Sequence, residues 1–221
     1  MATGWRMPRL FHDRKDAGAQ LAARLSAFAD DASTIVLGLP RGGVPVAYEV
    51  AKALRAPLDV FVVRKLGAPG QRELAMGAIA SGGVRVINDE VIQALKLSAS
   101  VVDAVDLQEQ PELERQQRLY RGDVALPDFT GRTVIVVDDG LATGSSMRAA
   151  VRALRQSNPR RIVVAVPVGA AETCRSLQAD ADEVICLYAP ESFYSVSTWY
   201  EEFSQTSDDE VRRLLEAGRP V

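Results

Sequence analysis

The segment Val134-Ile135-Val136-Val137-Asp138-Asp139-Gly140-Leu141-Ala142-Thr143-Gly144-Ser145-Ser146-Met147 holds the residues best suited to chemistry. A Val/Ile run ends in two carboxylates, and a turn of small and hydroxyl residues then leads into a helical pattern. Such a strand-to-helix turn leaves backbone N–H groups and the positive helix end facing outward, where they bind an anion. Thr143, Ser145 and Ser146 add hydroxyl donors, and Gly144 lets the backbone approach closely. A phosphate fits there. Asp138 and Asp139 cannot also seek that phosphate. They want neutral donors or a cation, such as the two hydroxyls of a ribose or a Mg2+ with its water. The segment therefore suggests a ribose 5-phosphate gripped at both ends. The competing reading is an acidic strand end before an ordinary capped helix.

Two further turns suit anions. Leu39-Pro40-Arg41-Gly42-Gly43-Val44-Pro45 joins a strand to a helix, with glycines baring N–H groups beside one arginine. The run Asp59 to Arg64 ends in Arg64-Lys65 and is followed by Leu66-Gly67-Ala68-Pro69-Gly70-Gln71-Arg72-Glu73. Gly, Pro and charge there read as a mobile loop. Each turn also has a plain reading, a tight turn or loop with solvated charges.

With these residues in view, Val134 to Ser146 resembles the phosphoribosyl-pyrophosphate motif of type I phosphoribosyltransferases. The match covers the hydrophobic strand, the acidic pair and the Thr-Gly turn. The resemblance implies that Asp138 and Asp139 hold the ribose hydroxyls and, through water, the metal. It implies that Ala142, Thr143, Gly144, Ser145 and Ser146 wrap the 5-phosphate. Pro40, Arg41, Gly42 and Gly43 match the family's pyrophosphate loop, where a non-proline cis bond would fall at Pro40-Arg41. Arg64 and Lys65 are then candidates for diphosphate contacts, with Arg72 swinging in on a lid that excludes water. Together with the two aspartates they make up the candidate catalytic set. A hood of terminal segments would recognise the base, with Phe193, Tyr194, Trp199 and Tyr200 as stacking candidates. Trp199 and Phe203, four residues apart, equally suit anchoring the last helix. The resemblance spans roughly residues 34 to 190. The Leu-Pro-Arg-Gly-Gly loop and aromatic tail look most like a small group of stand-alone bacterial phosphoribosyltransferase-domain proteins.

The implied chemistry is displacement at the anomeric carbon of 5-phosphoribosyl 1-pyrophosphate, with Mg2+ as cofactor and a nitrogenous base as acceptor. Purine salvage in a cytoplasmic homodimer is the implied setting. Ala142 departs from the 6-oxopurine enzymes, which place an Asp there, and agrees with the adenine enzymes. Glu73 is then an acid/base candidate. The alternatives are a non-catalytic regulatory binder of the same ligand, and a hydrolase or other transferase acting on it.

The elements that must position these residues form a regular alternation. Thr34 to Leu39, Asp59 to Arg64, Thr133 to Asp138, Arg161 to Val168 and Glu183 to Tyr188 are continuous apolar runs, as in strands covered on both faces. Met76 to Ala80 and Val84 to Asn88 flank Ser81-Gly82-Gly83, which predicts a hairpin. Asp13 can cap a helix to about Phe28, with Leu21, Leu25 and Phe28 on one face. Another helix starts near Val44, where Pro45 is tolerated in the first turn. Others cover Ser145 to Gln156 and Ala170 to Gln178. Ser207-Asp208-Asp209-Glu210 caps a last helix, Val211 to Ala217. The pattern predicts an α/β fold with a doubly wound, mostly parallel sheet, a small hood from terminal segments and a helical insertion. One domain spans 1–221, with its core at about 30–190, the insertion at 88–121 and the tail at 190–221. Pro111 should kink or restart the insertion's helix. The insertion reads as a solvated excursion, or as a dimer contact or part of a lid.

Composition narrows the partners. The chain is 47% apolar and 25% charged, which is ordinary for a globular protein. A net charge of −3 argues against broad nucleic-acid binding. Arg148, Arg152 and Arg155 on one helix side read as a solvated face. No apolar run approaches the roughly 18 residues needed to span a membrane, and Met1 to Arg6 lacks an apolar signal core. Cys174 and Cys186 read as reduced thiols, the latter small and buried in an apolar run. His12, beside Asp13 and Arg14, reads as solvated. One His and two separated Cys cannot assemble a usual zinc site.

Overall fold

The computed structural model describes residues 10–218, and within them not the side chains of Arg72 and Glu73. The stretch Met1 to Arg6, read above for a signal core, lies outside the described residues. Five parallel strands form the central sheet: β1 (Thr34–Gly38), β2 (Leu58–Val60), β6 (Thr133–Val137), β7 (Arg161–Val168) and β8 (Glu183–Tyr188). Their order is β2-β1-β6-β7-β8. Every residue of β1 and β6 is buried, which is why these strands read as unbroken apolar runs rather than alternating ones.

The two faces sort by parity. Val36, Ile135, Val137, Val163 and Ala165 face one core with α1 (Arg14–Arg24), α2 (Gly43–Leu54) and α7 (Asp208–Gly218). Ile35, Leu37, Val134, Val136 and Val164 face the other with α5 (Ser145–Arg155) and α6 (Ala171–Ser176). The doubly wound α/β architecture is as the sequence predicts. Asp13 caps α1 by accepting from the Asp16 N–H at 2.7 Å, and Ser207 caps α7 by accepting from the Glu210 N–H at 3.1 Å.

Four expectations are corrected. The single strand at Asp59 to Arg64 is two: β2 stays in the main sheet, and Phe61-Val62 carries the chain out to β3 (Val63–Ala68). The segment read as a mobile loop is the β3–β4 hairpin, with β4 at Gln71–Ala80 and a turn at Pro69-Gly70, where Gly70 has φ +76°. The expected hairpin of β4 with β5 (Val84–Ile87) completes this second, antiparallel sheet. Within the insertion, α3 (Asp89–Ala94) precedes one unbroken helix, α4 (Ala99–Arg121), which runs through Pro111. A proline costs a helix one hydrogen bond, and burial of Val102, Leu113 and Tyr120 against the first core offsets that loss.

The fourth correction concerns the cysteines. Cys174 in α6 and Cys186 in β8 form a disulfide with Cα atoms 6.7 Å apart, and Cys186 is only half-buried. Closing a loop of this size stabilises the folded chain by about 3 kcal/mol. For a chain this long, reduction is expected to lower Tm by roughly 6–12 °C. Thiol titration of the unreduced protein should find Cys174 and Cys186 unreactive; full labelling without reductant would refute the pairing.

Candidate active site

The strand order reverses between β1 and β6, and in open α/β sheets ligands bind in the crevice at the carboxyl ends beside such a point. The turns after these two strands face each other there. The turn after β1 is tied to β6 where the Leu39 N–H donates to the Val137 carbonyl at 2.9 Å. The Pro40-Arg41 peptide is cis, as the resemblance implied. Gly42 lies against Asp139 so closely that a Cβ would stand 2.0 Å from its Oδ2. Arg41 leans away toward Asp208, 3.7 Å distant, which also accepts from the Tyr120 hydroxyl at 2.5 Å.

The turn after β6 builds a cup. The Leu141 N–H donates to the Val168 carbonyl and the Ala170 N–H to the Leu141 carbonyl, both at 2.9 Å, which fixes the turn to β7. Gly144 takes φ +69° to reverse the chain into α5. Thr173 Oγ1 donates to the Ala142 carbonyl at 2.7 Å, bracing the cup from α6. Thr143 and Ser145 hydroxyls lie 3.1 Å apart, and Ala142, Thr143 and Ser146 are exposed. The cup encloses about 160 Å3, lined by residues 140–147 together with Asp138 and Val196. All five predicted phosphate-loop residues therefore surround one cavity, with an acid at its edge.

Ser146 also borders a larger cleft of about 640 Å3, lined by Arg64, Lys65, the β3–β4 turn, Val105, Gln108 and Glu109. The hairpin and α4 thus bring Arg64 and Lys65 into one cleft with Ser146. Arg64 donates to Glu109 Oε2 from Nε at 2.9 Å and from Nη2 at 2.6 Å. Arg72 and Glu73 fall on β4, and their side chains are outside the described set.

The phosphoribosyl transferase domain model matches residues 70–209 of the sequence. The chain belongs to that family. Over 209 residues it is 50% identical to a Mycobacterium tuberculosis protein named "putative phosphoribosyl transferase", covering 94% of this chain and 47% of that protein. It thus spans about half the length of the first curated relatives it matches. A Lactobacillus gasseri uracil phosphoribosyltransferase is 31% identical over 162 residues, 68% of this chain and 70% of that one. The crystal structure of TT1426 from Thermus thermophilus superposes with a TM-score of 0.87 at 40% identity, covering 95% of this chain and 99% of that one.

In this phosphoribosyl transferase domain the terminal segments do form a cap, zipped by Phe11 and His12 carbonyls accepting from Glu201 and Glu202 N–H groups at 2.9 and 2.8 Å. Its aromatic residues divide. Trp199 is buried with Phe11 and Tyr200, and Phe193 stacks on it at 6.3 Å. Tyr194 is 92% exposed. Tyr200 is buried, and its hydroxyl donates to the Asp139 carbonyl at 2.6 Å. The cap residue that reaches the cup is Val196, packed so tightly on Gly140 that a Cβ there would stand 2.6 Å away. Sequence reasoning missed Val196 and Glu109, since an apolar cap residue and a surface glutamate carry no local signal.

The electrostatics single out the acid pair. Burial, then repulsion from Asp139, holds the Asp138 carboxyl well above the usual range. Burial also raises Asp139, against the pull of Arg14, whose Nε donates to its Oδ2 at 2.8 Å. Among the described residues no three His, Cys, Asp or Glu side chains converge as metal ligands. A carboxyl at the edge of the cup suits the hydroxyls of a diol, and a Mg2+ carried by substrate phosphates would need few protein ligands because it keeps its waters. The Arg148, Arg152 and Arg155 face is ion-paired with Asp180 and Asp182.

His12 carries a pH prediction. Its Nδ1 lies 3.0 Å from Glu201 Oε2, and that hydrogen bond raises the imidazole above its ordinary value of about 6.5. The contribution to holding the cap is full below that value and disappears as pH rises through the raised one. In an NMR titration, Glu201→Gln should lower the His12 midpoint; an unmoved midpoint would refute the latch.

Proposed function

We propose that the chain transfers the 5-phosphoribosyl group of 5-phosphoribosyl 1-pyrophosphate to a nitrogenous base. The observation that supports this most is the meeting of the phosphate cup, the Pro40–Gly43 turn and Asp138 at one crevice. Ala142 to Ser146 would hold the 5-phosphate, Asp138 the ribose diol, and residues 40–43 with Arg64 and Lys65 the pyrophosphate. The C1–O bond to pyrophosphate breaks, a C1–N bond forms, and the acceptor nitrogen gives up its proton. The sugar passes through an oxocarbenium-like state, and a carboxylate at its edge stabilises the developing positive charge. Mg2+, held by the substrate phosphates and through water by Asp138, would neutralise charge on the leaving group. The homodimer, the cytoplasmic setting and purine salvage belong to this proposal. Val196, which lines the cup, with Phe193 and Tyr194 would contact the acceptor base.

One observation favours a second reading, a regulatory protein that binds the same ligand without turnover. Arg64 and Asp139 are each already engaged by a neighbour, Glu109 and Arg14. Pyrophosphate release across a panel including adenine, hypoxanthine, guanine and uracil separates the two. Release with one base supports the transferase, and binding without release supports the regulator. At a hundred times Kd, the ligand with Mg2+ should add about 2.7 kcal/mol, raising Tm by roughly 5–11 °C. No shift would count against both.

A further inference from the structure

Arg14, at the start of α1, has its side chain 12% exposed although it lies near the chain's beginning. Its guanidinium joins segments far apart in sequence. Nε donates to Asp139 Oδ2 at 2.8 Å, Nη1 donates to the Ser204 carbonyl at 2.6 Å, and Cζ sits 3.9 Å from the centre of the Phe203 ring. A Cβ on Gly42 would lie 3.3 Å from the same Nε, so the Pro40–Gly43 turn closes over this ion pair. Tyr200 fixes Asp139 from the other side through its carbonyl. Asp138 differs. It borders the cup, and its Oδ1 accepts from the Asp139 N–H at 2.8 Å.

We propose that Arg14 is a positioning residue that splits the work of the acid pair. It neutralises Asp139 as the joint between the pyrophosphate turn and the cap, and leaves Asp138 alone to meet the ribose diol. The inference rests on the function proposed above and deepens it. A ligand carrying both a phosphate and a pyrophosphate is strongly anionic. Two uncompensated carboxylates beside it would repel it, and a partly buried crevice screens such repulsion poorly. One arginine cancels half of that charge before the ligand arrives, in a geometry fixed by stacking and by a backbone carbonyl.

Calorimetric titration of the full chain with 5-phosphoribosyl 1-pyrophosphate and Mg2+ tests this. Arg14→Gln should weaken binding about tenfold or more, a typical size for a charge interaction near a protein surface. Arg14→Lys should retain most of the affinity, although it loses the stacking. The double variant Arg14→Gln/Asp139→Asn should recover most of what Arg14→Gln loses, because the net charge of the crevice is restored. A purely structural role would leave that double variant as weak as Arg14→Gln. Wild-type affinity in Arg14→Gln, or no recovery in the double variant, overturns the inference alone. If Arg14→Gln does not fold, the two charge-conserving variants decide: near-native binding by both supports it, and loss in the double variant overturns it. No binding by wild-type protein overturns the functional reading and this inference with it.

Discussion

Asp138→Asn is expected to slow pyrophosphate release by roughly a hundredfold to a thousandfold while making the folded chain more stable. Asparagine keeps the shape and the acceptor oxygen for the Asp139 N–H, but has no negative charge to offer a developing cation. The stability gain has a separate origin. The Asp138 carboxyl is raised because its ionised form is buried beside Asp139. A raised folded value in an acid means that ionisation disfavours the native state. The cost is absent well below the ordinary carboxyl value of about 4 and grows as pH rises through the folded one. The Tm difference between Asp138→Asn and wild type should therefore open as pH is raised from 4 toward 8. A variant that is less stable throughout that range, or that turns over normally, contradicts the assignment. Destabilisation retained at a working group is the usual mark of function set against stability.

The same residues show how far the sequence carried. β1, β6 and β7 were legible because a strand buried on both faces must be apolar without interruption. The cup after β6 was legible because its pattern is local: strand, small turn and helix are contiguous from Val134 to Met147. The break at Phe61-Val62 was not. Both residues are buried outside the strands, so composition gives no sign that the chain has left the sheet. The β3–β4 hairpin was hidden in a similar way, since Gly67, Pro69 and Gly70 mark a turn but do not say that strands flank it. The Arg14–Asp139 pair spans 125 residues, and Arg14 is one of many arginines. The Arg64–Glu109 and Cys174–Cys186 pairings likewise depend on which elements the fold brings together.

Gly42→Ala should abolish the Tm rise given by 5-phosphoribosyl 1-pyrophosphate, although one methyl group is the smallest change available. The backbone does not object: Gly42 sits at φ −63° and ψ −29°, where any residue is at ease. What forbids alanine is space. Its Cβ would stand 2.0 Å from Asp139 Oδ2, and Asp139 cannot swing aside without leaving Arg14 buried and unpaired. The turn must lift instead, taking Pro40 to Gly43 away from the crevice, at an overpacking cost of about 1–3 kcal/mol. Gly83→Ala is the matching control. It has φ +74° with nothing within 4 Å, so it incurs a backbone cost of about 1–2 kcal/mol in a turn that does not line the cup. Both variants should lose Tm by similar amounts, but only Gly42→Ala should lose the ligand-induced shift. Equal ligand shifts in the two would mean that the turn after β1 does not contact the ligand.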